Sequence, residues 1–392
     1  MSYTITESVT WVGKIDWTLR RFHGEELSTH RGSSYNSYLI RDEKTALIDT
    51  VWGPFAKEFV ANLKKEIDLN KIDYIISLHG ETDHSGALAE LLREIPNTPV
   101  YCTANGVKSL QGQYHGAWNF VPVKTGDVLD LGKTQLHFIE ARMLHWPDTM
   151  FAYLTGENIL FSSDGFGQHY ASEMMYDDLV DQGELWYEAM KYYANILNPF
   201  SPLVDKKIAE ILGMNLPVSL ICPAHGVIWR KQINEIIEAY VNWSRCYQEN
   251  QATIAYDSMW HGTEHLANAF CEGLREGNPD LVVKCYYMGK SDANDVLTEI
   301  FKSKLVLLGS PTVNRGILSP MAALVSHMKE LGFKNKKGMA FGTYGWSGES
   351  VKVLSDALQE GCFELIHEGF RTTWDPDAAA LATAKEIGRQ IA

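Results

Sequence analysis

Two different rhythms of strand and helix divide this chain near residue 250. Before that point short strands pair as hairpins, for example 37–40 and 45–49 around the polar turn 41–44. Hairpins with helices between them predict sheets packed between layers of helices. After that point short apolar strands alternate with helical patterns, which predicts a parallel sheet covered on both faces. We therefore expect two domains, residues 1–249 and 250–392.

The second half predicts a doubly wound α/β domain with a five-stranded parallel sheet. Its expected strands are 253–256, 282–286, 305–308, 338–341 and 363–366. Helical patterns follow most of these strands, for example at 322–331 and 351–358. This succession is typical of the flavodoxin type of fold, in which ligands lie at the carboxyl ends of the strands.

The charge and the cysteines of the chain narrow the classes of partner. The formal net charge of −14 disfavours nucleic acid and anionic lipid as partners. No apolar run is long enough to span a bilayer and residues 1–7 lack the pattern of a secretory signal, so we expect a cytoplasmic protein without a membrane anchor. None of the six cysteines lies in a CxxC pair. We therefore expect reduced thiols, no cysteine-ligated zinc and no fused rubredoxin-like module on this chain.

A cluster of ligand-type side chains follows the apolar strand at 72–77. Four of them lie within six residues: His79, Glu81, Asp83 and His84. Three more follow other expected strands, each beside a turn-forming glycine or proline: His145, Asp164 and His225. Crowding carboxylates and imidazoles on one loop is unfavourable unless a cation relieves it. Seven such groups suffice for two metal ions that share a bridging carboxylate, so the sequence predicts a dinuclear metal site.

A single histidine or aspartate on a loop is more often solvated or hydrogen-bonded than bound to a metal. His145, Asp164 and His225 would be interpreted that way if each stood alone. Seven other histidines lack ligand-type company and are interpreted as having no evident site: His30, His115, His137, His169, His265, His327 and His367.

The clustered motif resembles that of the metallo-β-lactamase fold, which is usually His-x-His-x-Asp-His. This chain departs from the pattern because Glu81 stands where the second histidine would be. A carboxylate in place of an imidazole makes the site harder and more anionic. Zinc hydrolase sites depend on imidazole, whereas non-haem iron uses mixed histidine and carboxylate sets, so Glu81 favours iron.

Three loops after the first, third and fourth strands of the second half predict a flavin site. The first resembles the phosphate loop of flavodoxins and leads into a helix, where backbone N–H groups and the helix dipole favour an anion. Aromatic side chains on the loops can stack on an isoalloxazine ring. The expected contacts with FMN are Ser258, Met259, Trp260, His261, Gly262 and Thr263 on the first loop, Pro311, Thr312, Val313 and Asn314 on the second, and Thr343, Tyr344, Gly345, Trp346 and Ser347 on the third.

The two halves together resemble the flavodiiron proteins, or A-type flavoproteins, over essentially the whole chain. The resemblance implies an N-terminal metallo-β-lactamase-like αββα sandwich and a C-terminal flavodoxin-like domain, with two irons and FMN as cofactors. It implies an enzyme that reduces dioxygen to water, nitric oxide to nitrous oxide, or both. The electron donor would be a rubredoxin-like protein or a diffusible reductant. The functional unit would be a head-to-tail homodimer or a homotetramer.

The same resemblance implies a role for each metal ligand. The seven ligands would form two sets that share one carboxylate: His79, Glu81 and His145 on one iron, Asp83, His84 and His225 on the other, and Asp164 between them. His23 and Tyr193 would lie next to the substrate pocket.

Two alternatives from other functional classes stay open at this point. One is a zinc-dependent hydrolase of the metallo-β-lactamase type with an accessory flavodoxin domain. The other is an electron carrier whose N-terminal half is a docking or structural module. The ligand set serves both gases in the family, so the sequence does not rank dioxygen against nitric oxide.

Overall fold

The computed structural model describes residues 2–392, which form two compact units. The first unit runs to Tyr192 and also contains Phe200–Val241. The second unit contains Tyr193–Pro199 and Asn242–Ala392. The domain division at residues 249 and 250 stays a prediction. Within residues 2–392 no helix combines the length and apolar character needed to cross a membrane.

The first unit is built from short strands. They are β1 (Tyr3–Thr4), β2 (Val9–Trp11), β3 (Lys14–Asp16), β4 (Arg21–Phe22), β5 (Leu27–Ser28), β6 (Ser33–Tyr35), β7 (Tyr38–Arg41), β8 (Thr45–Ile48), β9 (Tyr74–Ile76), β10 (Val100–Thr103), β11 (Phe120–Val123), β12 (Val128–Asp130), β13 (Gln135–Glu140), β14 (Met150–Leu154), β15 (Ile159–Phe161) and β16 (Leu220–Cys222). The helices that follow or connect them are α1 (Ala56–Glu66), α2 (Thr82–Ser85), α3 (Leu88–Glu94), α4 (Ala104–Tyr114), α5 (Gln182–Tyr192), α6 (Ser201–Gly213) and α7 (Ile233–Trp243).

Two sheets make the framework of the first unit. One has seven strands in the order β1-β2-β7-β8-β9-β10-β11, and the other has five in the order β12-β13-β14-β15-β16. The predicted hairpin is confirmed, because β7 and β8 pair antiparallel with Tyr38 opposite Ile48. The strands β8, β9 and β10 pair in parallel, as do β15 and β16.

Apolar side chains on the inner faces of both sheets form one core. Trp11 and Tyr38 of the larger sheet pack in one buried cluster with Phe138 and Phe161 of the smaller sheet. On its outer face the larger sheet is covered by α1, α3 and α4, and the smaller sheet is covered by α6 and α7. The first unit is therefore the predicted sandwich of helix, sheet, sheet and helix.

The second unit is a doubly wound parallel sheet. Its strands are β17 (Glu249–Tyr256), β18 (Val282–Tyr287), β19 (Ser303–Gly309), β20 (Lys337–Tyr344), β21 (Glu364–Leu365) and β22 (Phe370–Thr373). Its helices are α8 (Gly262–Gly277), α9 (Ala293–Lys302), α10 (Ser319–Leu331), α11 (Ser350–Glu360) and α12 (Ala378–Ile391). The sheet order is β18-β17-β19-β20-β21, and β22 also pairs with β20.

The fifth strand position is broken into two pieces, where the sequence predicts one strand at 363–366. Both β21 and β22 run parallel to β20, with Leu365 opposite Gly338 and Phe370 opposite Phe341. Gly369 lies between the pieces with a φ of 99°, a conformation that glycine adopts without the clash of a Cβ. The chain leaves the sheet at this turn and returns to the same edge.

Lys336 ties the start of β20 to its surroundings. Its side chain is buried, and Nζ donates to the backbone oxygens of Tyr247, Phe301 and Ser303 at 2.9, 2.7 and 2.8 Å. One ammonium group therefore donates hydrogen bonds to three carbonyl oxygens that would otherwise lack a donor.

Replacing this ammonium by a thioether of similar length should destabilise the second unit. We expect Lys336→Met to lower the free energy of unfolding by roughly 2–5 kcal/mol, because buried carbonyl oxygens lose their donor. Lys334→Met, at an exposed position two residues earlier, is the matched control and should leave stability unchanged. Urea unfolding followed by circular dichroism measures both, and equal stability of the two variants would contradict the assigned role.

Candidate metal and flavin sites

The structure brings all seven predicted ligand side chains together at the ends of the strands in the first unit. The loop after β9 and the short helix α2 carry the cluster of four, while the segments after β13, β15 and β16 carry the rest. The side chains fall into two groups on either side of one carboxylate, that of Asp164.

The first group contains His79, Glu81 and His145. His79 Nε2 and His145 Nε2 lie 3.1 and 3.2 Å from Glu81 Oε2. The same two nitrogens lie 3.5 and 3.4 Å from Asp164 Oδ2. Two imidazole nitrogens and two carboxylate oxygens thus face one small volume, which one metal ion could occupy.

The second group contains Asp83, His84 and His225. His84 Nε2 and His225 Nε2 lie 3.3 and 3.0 Å from Asp83 Oδ2. They lie 3.2 and 3.5 Å from Asp164 Oδ1. Asp164 therefore turns one oxygen to each group, which is the geometry of a carboxylate that bridges two metal ions.

Buried atoms without hydrogen-bond partners show that the site fits a cation. Both carboxylate oxygens of Asp83, Nε2 of His84 and Oδ2 of Asp164 are buried and make no hydrogen bond among the described residues. Buried charged atoms left in this state are strongly unfavourable, whereas metal coordination satisfies them all at once. Four imidazoles with three carboxylates form a mixed donor set that suits non-haem iron.

Without a metal ion, protons take up part of the charge of the carboxylates. Burial by itself lowers the pKa of an imidazole, but the neighbouring carboxylates outweigh it and raise the pKa of His79, His84 and His145 to about 10. The same imidazoles hold the pKa of the Asp164 carboxyl well below its usual range despite its burial. Metal binding must therefore displace protons from these histidines.

Hydrogen bonds behind the ligands fix which imidazole nitrogen faces the site. His79 Nδ1 donates to Asp148 Oδ1 at 2.9 Å, and Asp148 Oδ2 accepts from the backbone N–H of Gly80 at 2.9 Å. His225 Nδ1 donates to the carbonyl oxygen of Ser34 at 2.7 Å. Both bonds leave Nε2 free to bind a metal. No sequence pattern indicated a role for Asp148, although it lies only three residues after His145.

The structure corrects one prediction about the surroundings of the site. Tyr193 is not beside it, because its ring packs against Trp243 and Phe301 in the second unit. Its neighbour Tyr192 contacts the site instead, with its hydroxyl donating to Asp164 Oδ1 at 3.0 Å. On a helix, adjacent residues point to different faces, so a shift of one position changes the partner.

His169, interpreted as a histidine with no evident site, is hydrogen-bonded to Ser33 Oγ through Nδ1 at 2.8 Å and lies beside the metal site. Its ring lies 5.0 Å from that of His225 and 5.1 Å from that of Tyr192, measured between centroids. Burial, with the nearby imidazole of His225, holds the pKa of His169 well below its usual value. The prediction for His23 agrees with the structure, since its Nε2 lies 3.1 Å from Glu81 Oε1.

The three predicted flavin loops of the second unit surround one cleft of about 900 Å³. The predicted residues that line it are Ser258, Met259, Trp260, Gly262, Pro311, Thr312, Asn314, Thr343, Tyr344, Gly345, Trp346 and Ser347. The lining residues that the sequence did not indicate are Arg315, Glu349, Trp374 and Asp375. Arg315 precedes α10, Glu349 precedes α11, and Trp374 and Asp375 follow β22. No recognisable motif includes these four residues.

Three predicted contacts do not line the cleft. Thr263 is buried, and its hydroxyl is 2.9 Å from that of Thr343. The exposed His261 ring bonds Glu264 through Nδ1 at 2.7 Å. Val313 turns its backbone toward Gly316 in a tight bridge.

The cleft is lined by both a buried hydroxyl group and exposed aromatic rings, the two kinds of group that FMN needs. Ser258 Oγ is buried without a hydrogen-bond partner, next to the start of α8. A phosphate there would meet this hydroxyl and the positive end of the helix dipole. Trp260 and Trp346 are 85% and 89% exposed, so their rings are free to stack on a planar ligand.

Comparisons with known proteins match both units. Residues 34–226 match the family described as ODP family beta lactamase, and residues 254–388 match flavodoxin. The anaerobic nitric oxide reductase flavorubredoxin of Escherichia coli strain K12 is 51% identical over 394 residues, covering 100% of this chain and 82% of that protein. The predicted fold class is confirmed by these matches and by the solved structures.

Two solved structures are similar over the whole chain. Rubredoxin oxygen:oxidoreductase from Desulfovibrio gigas has a TM-score of 0.96 and 36% identity, covering 100% of this chain and 97% of that one. The flavodiiron protein from Giardia intestinalis has a TM-score of 0.95 and 32% identity, covering 100% of this chain and 95% of that one.

Removing the acceptor behind His79 should weaken metal binding. We expect Asp148→Asn to lower the affinity for iron by about 10–100-fold, because the amide no longer fixes the tautomer that turns Nε2 to the site. Competition with a coloured chelator measures this affinity. Asp130→Asn, an exposed carboxylate on β12, is the control and should bind iron normally. Equal affinities would remove Asp148 from the metal site.

The role of the buried Ser258 hydroxyl in the cleft can be tested separately. We expect Ser258→Ala to weaken FMN binding by about tenfold, the loss of one hydrogen bond to a charged group. Riboflavin, which has no phosphate, should bind both forms alike. Fluorescence quenching of the flavin measures each dissociation constant, and an equal loss for riboflavin would place the phosphate elsewhere.

Proposed function

The chain belongs to the flavodiiron proteins, and from this premise we propose that it reduces nitric oxide to nitrous oxide and dioxygen to water. Electrons come from a rubredoxin-type donor and pass through FMN to a pair of iron ions. The observation that carries this proposal is the pair of ligand groups that share the Asp164 carboxylate, on the same chain as a flavodoxin-like cleft. Nitric oxide is the first candidate because a nitric oxide reductase is 51% identical over the full chain.

Dioxygen is the second candidate substrate. It is supported by the rubredoxin oxygen:oxidoreductase whose fold agrees with this one at a TM-score of 0.96. Both gases are small and uncharged, and both need two reducing centres close together. A dinuclear site holds the two reacting atoms or molecules side by side, which is a proximity effect.

We assign the ligands as two sets of three with one shared carboxylate. His79, Glu81 and His145 would hold the first iron, and Asp83, His84 and His225 the second, with Asp164 between them. His84 belongs to the set because its Nε2 is buried, close to two carboxylates and without a hydrogen-bond partner.

The residues around the site position the substrate and handle protons. When bound, FMN and the iron pair supply the electrons and the place where the gas is held. Reduction of dioxygen consumes four protons, and coupling of two nitric oxide molecules consumes two. His23 Nε2 lies 3.1 Å from Glu81 Oε1 and its side chain is 30% exposed, so it forms a polar link between the site and solvent. The Tyr192 hydroxyl keeps Asp164 oriented by donating to Oδ1.

We propose a head-to-tail homodimer in the cytoplasm as the functional unit. The support is the resemblance to the family, in which one subunit's flavin lies next to the irons of the other. A dimer of dimers is compatible with the same pairing.

The two alternative functions fit the site less well. A zinc hydrolase depends on imidazole ligands. Here Glu81 stands in place of one imidazole and contributes an anionic oxygen beside His79 and His145. An electron carrier needs no buried cluster of carboxylates and imidazoles. The orphaned atoms of Asp83 and Asp164 would then be a large and unused cost in stability.

Turnover with both gases tests the function. Protein loaded with iron and FMN and reduced by rubredoxin should consume nitric oxide and dioxygen, with the faster rate for nitric oxide. In Asp83→Ala we expect gas consumption to fall at least about 100-fold while FMN reduction by the donor is unchanged, since the second unit is intact. Asp130→Ala is the control for loss of a surface carboxylate.

The opposite results separate the alternatives. Full consumption by Asp83→Ala would support the electron carrier. Zinc in the purified protein together with hydrolytic activity and no consumption of either gas would support the hydrolase.

A further inference from the structure

The turn that carries His225 is held by a buried asparagine from a distant part of the chain. This turn, residues 223–226, follows β16, and all four of its residues are buried. Asn36 lies between β6 and β7 and is 2% exposed. Its side-chain Nδ2 donates to the carbonyl oxygens of Pro223 and Gly226 at 2.8 and 3.0 Å. One side chain therefore binds the first and the last residue of the His225 turn.

The amide group of Asn36 fits its surroundings in only one orientation. Nε1 of Trp11, which can only donate, lies 2.8 Å from Asn36 Oδ1. The carbonyl oxygens of the turn can only accept, so Nδ2 must face them. Trp11 belongs to β2 of the seven-stranded sheet, whereas the turn follows β16 of the five-stranded sheet. Asn36 therefore fixes the His225 turn against the opposite sheet of the sandwich.

Further hydrogen bonds from the same segment complete the contact with the turn. The backbone N–H of Asn36 donates to the carbonyl oxygen of Ala224 at 2.8 Å. The carbonyl oxygen of Ser34 accepts from His225 Nδ1 at 2.7 Å, and Ser34 Oγ accepts from the backbone N–H of Gly226 at 2.8 Å. The backbone of the turn and the imidazole that it carries are thus fixed by the same short segment, which leaves Nε2 to face the metal site.

The position of the turn decides the geometry of the second ligand group. His225 Nε2 lies 3.0 Å from Asp83 Oδ2 and 3.5 Å from Asp164 Oδ1. These atoms come from three separate segments, so they keep their spacing only while the turn stays in place. Metal coordination tolerates deviations of only about 0.2 Å from the preferred distances. The first group has a different support, because His79 donates to Asp148.

We propose that Asn36 is the positioning residue of the second metal position, and that it controls the occupancy of this position separately from that of the first. The inference rests on the proposed function, because it needs two metal positions with the ligands assigned above. Loss of a group behind a metal ligand lowers metal affinity by about 10–100-fold. Since Asn36 supports the His225 turn and Asp148 supports His79, the loss should fall on one position only.

The amount and the place of bound iron test this role without depending on activity. In competition with a chelator, Asn36→Ala should retain the first iron and bind the second about 10–100-fold more weakly. In crystals, anomalous scattering from iron should remain beside His79 and His145 and disappear beside His225. Excess ferrous ion should refill the empty position. Asn97→Ala, at an exposed position of the same unit, is the control and should hold both irons.

A milder change keeps the test valid if Asn36→Ala does not fold, which circular dichroism will show. Ser34→Ala removes the acceptor of the Gly226 N–H and leaves the backbone acceptor of the imidazole in place. It should weaken iron binding at the same position, by a smaller factor than Asn36→Ala. Asp148→Asn should give the opposite pattern, with iron lost beside His79. A residue needed only for folding would not separate the two positions in this way.

Each contrary result overturns a defined claim. Equal loss of iron from both positions, or unchanged iron at both, in folded Asn36→Ala and Ser34→Ala overturns the positioning role and leaves the reductase function standing. If the unsubstituted protein fills both positions but consumes neither gas, the proposed function fails, while selective loss in Asn36→Ala still supports the positioning role. An unsubstituted protein that binds no pair of metal ions overturns both.

Discussion

The Asp164 carboxylate, turned with one oxygen toward each group of ligands, is the contact on which the first unit depends. Four imidazoles and two further carboxylates from three other segments meet around it, and most of these side chains are buried. In the absence of a cation this assembly leaves buried oxygens unpaired and raises the pKa of three histidines to about 10. The strands of the sandwich supply the rigidity that keeps the segments together, since β9, β15 and β16 are buried strands that end at the site.

The parts of the molecule that are encoded by local patterns could be predicted from the sequence. Four of the seven ligands could be recognised because ligand-type residues rarely occur so close together. The other three could be recognised because each follows an apolar strand. The order of strands and helices in the second unit could likewise be predicted from short apolar runs and helical patterns. The break of the fifth strand at Gly369 could not be predicted, because a strand of two residues is too short to show a hydrophobic periodicity.

Contacts between distant segments could not be predicted. Asp148 meets His79 across 69 positions and His169 meets Ser33 across 136. The residues next to His169 in the sequence carry no signal that distinguishes a histidine beside a metal site from a histidine on an ordinary loop. The exchange of Tyr193 for Tyr192 has another cause, namely that one residue of helical rotation decides which of two tyrosines faces the site. A hydrophobic pattern predicts that a helix forms, but it does not predict the rotation of the helix about its axis to within one residue.

The two gases and the protons set opposite demands on the same buried site. Protons need polar groups in exchange with water, which His23 beside Glu81 provides at a partly exposed position. Gas molecules of low polarity favour surroundings without polar groups. A single polar channel would serve protons and admit bulk water, which would weaken every electrostatic contact among the ligands. The burial of Asp83, His84 and His225 keeps water away from one side of Asp164, whereas the side that faces His23 keeps contact with solvent.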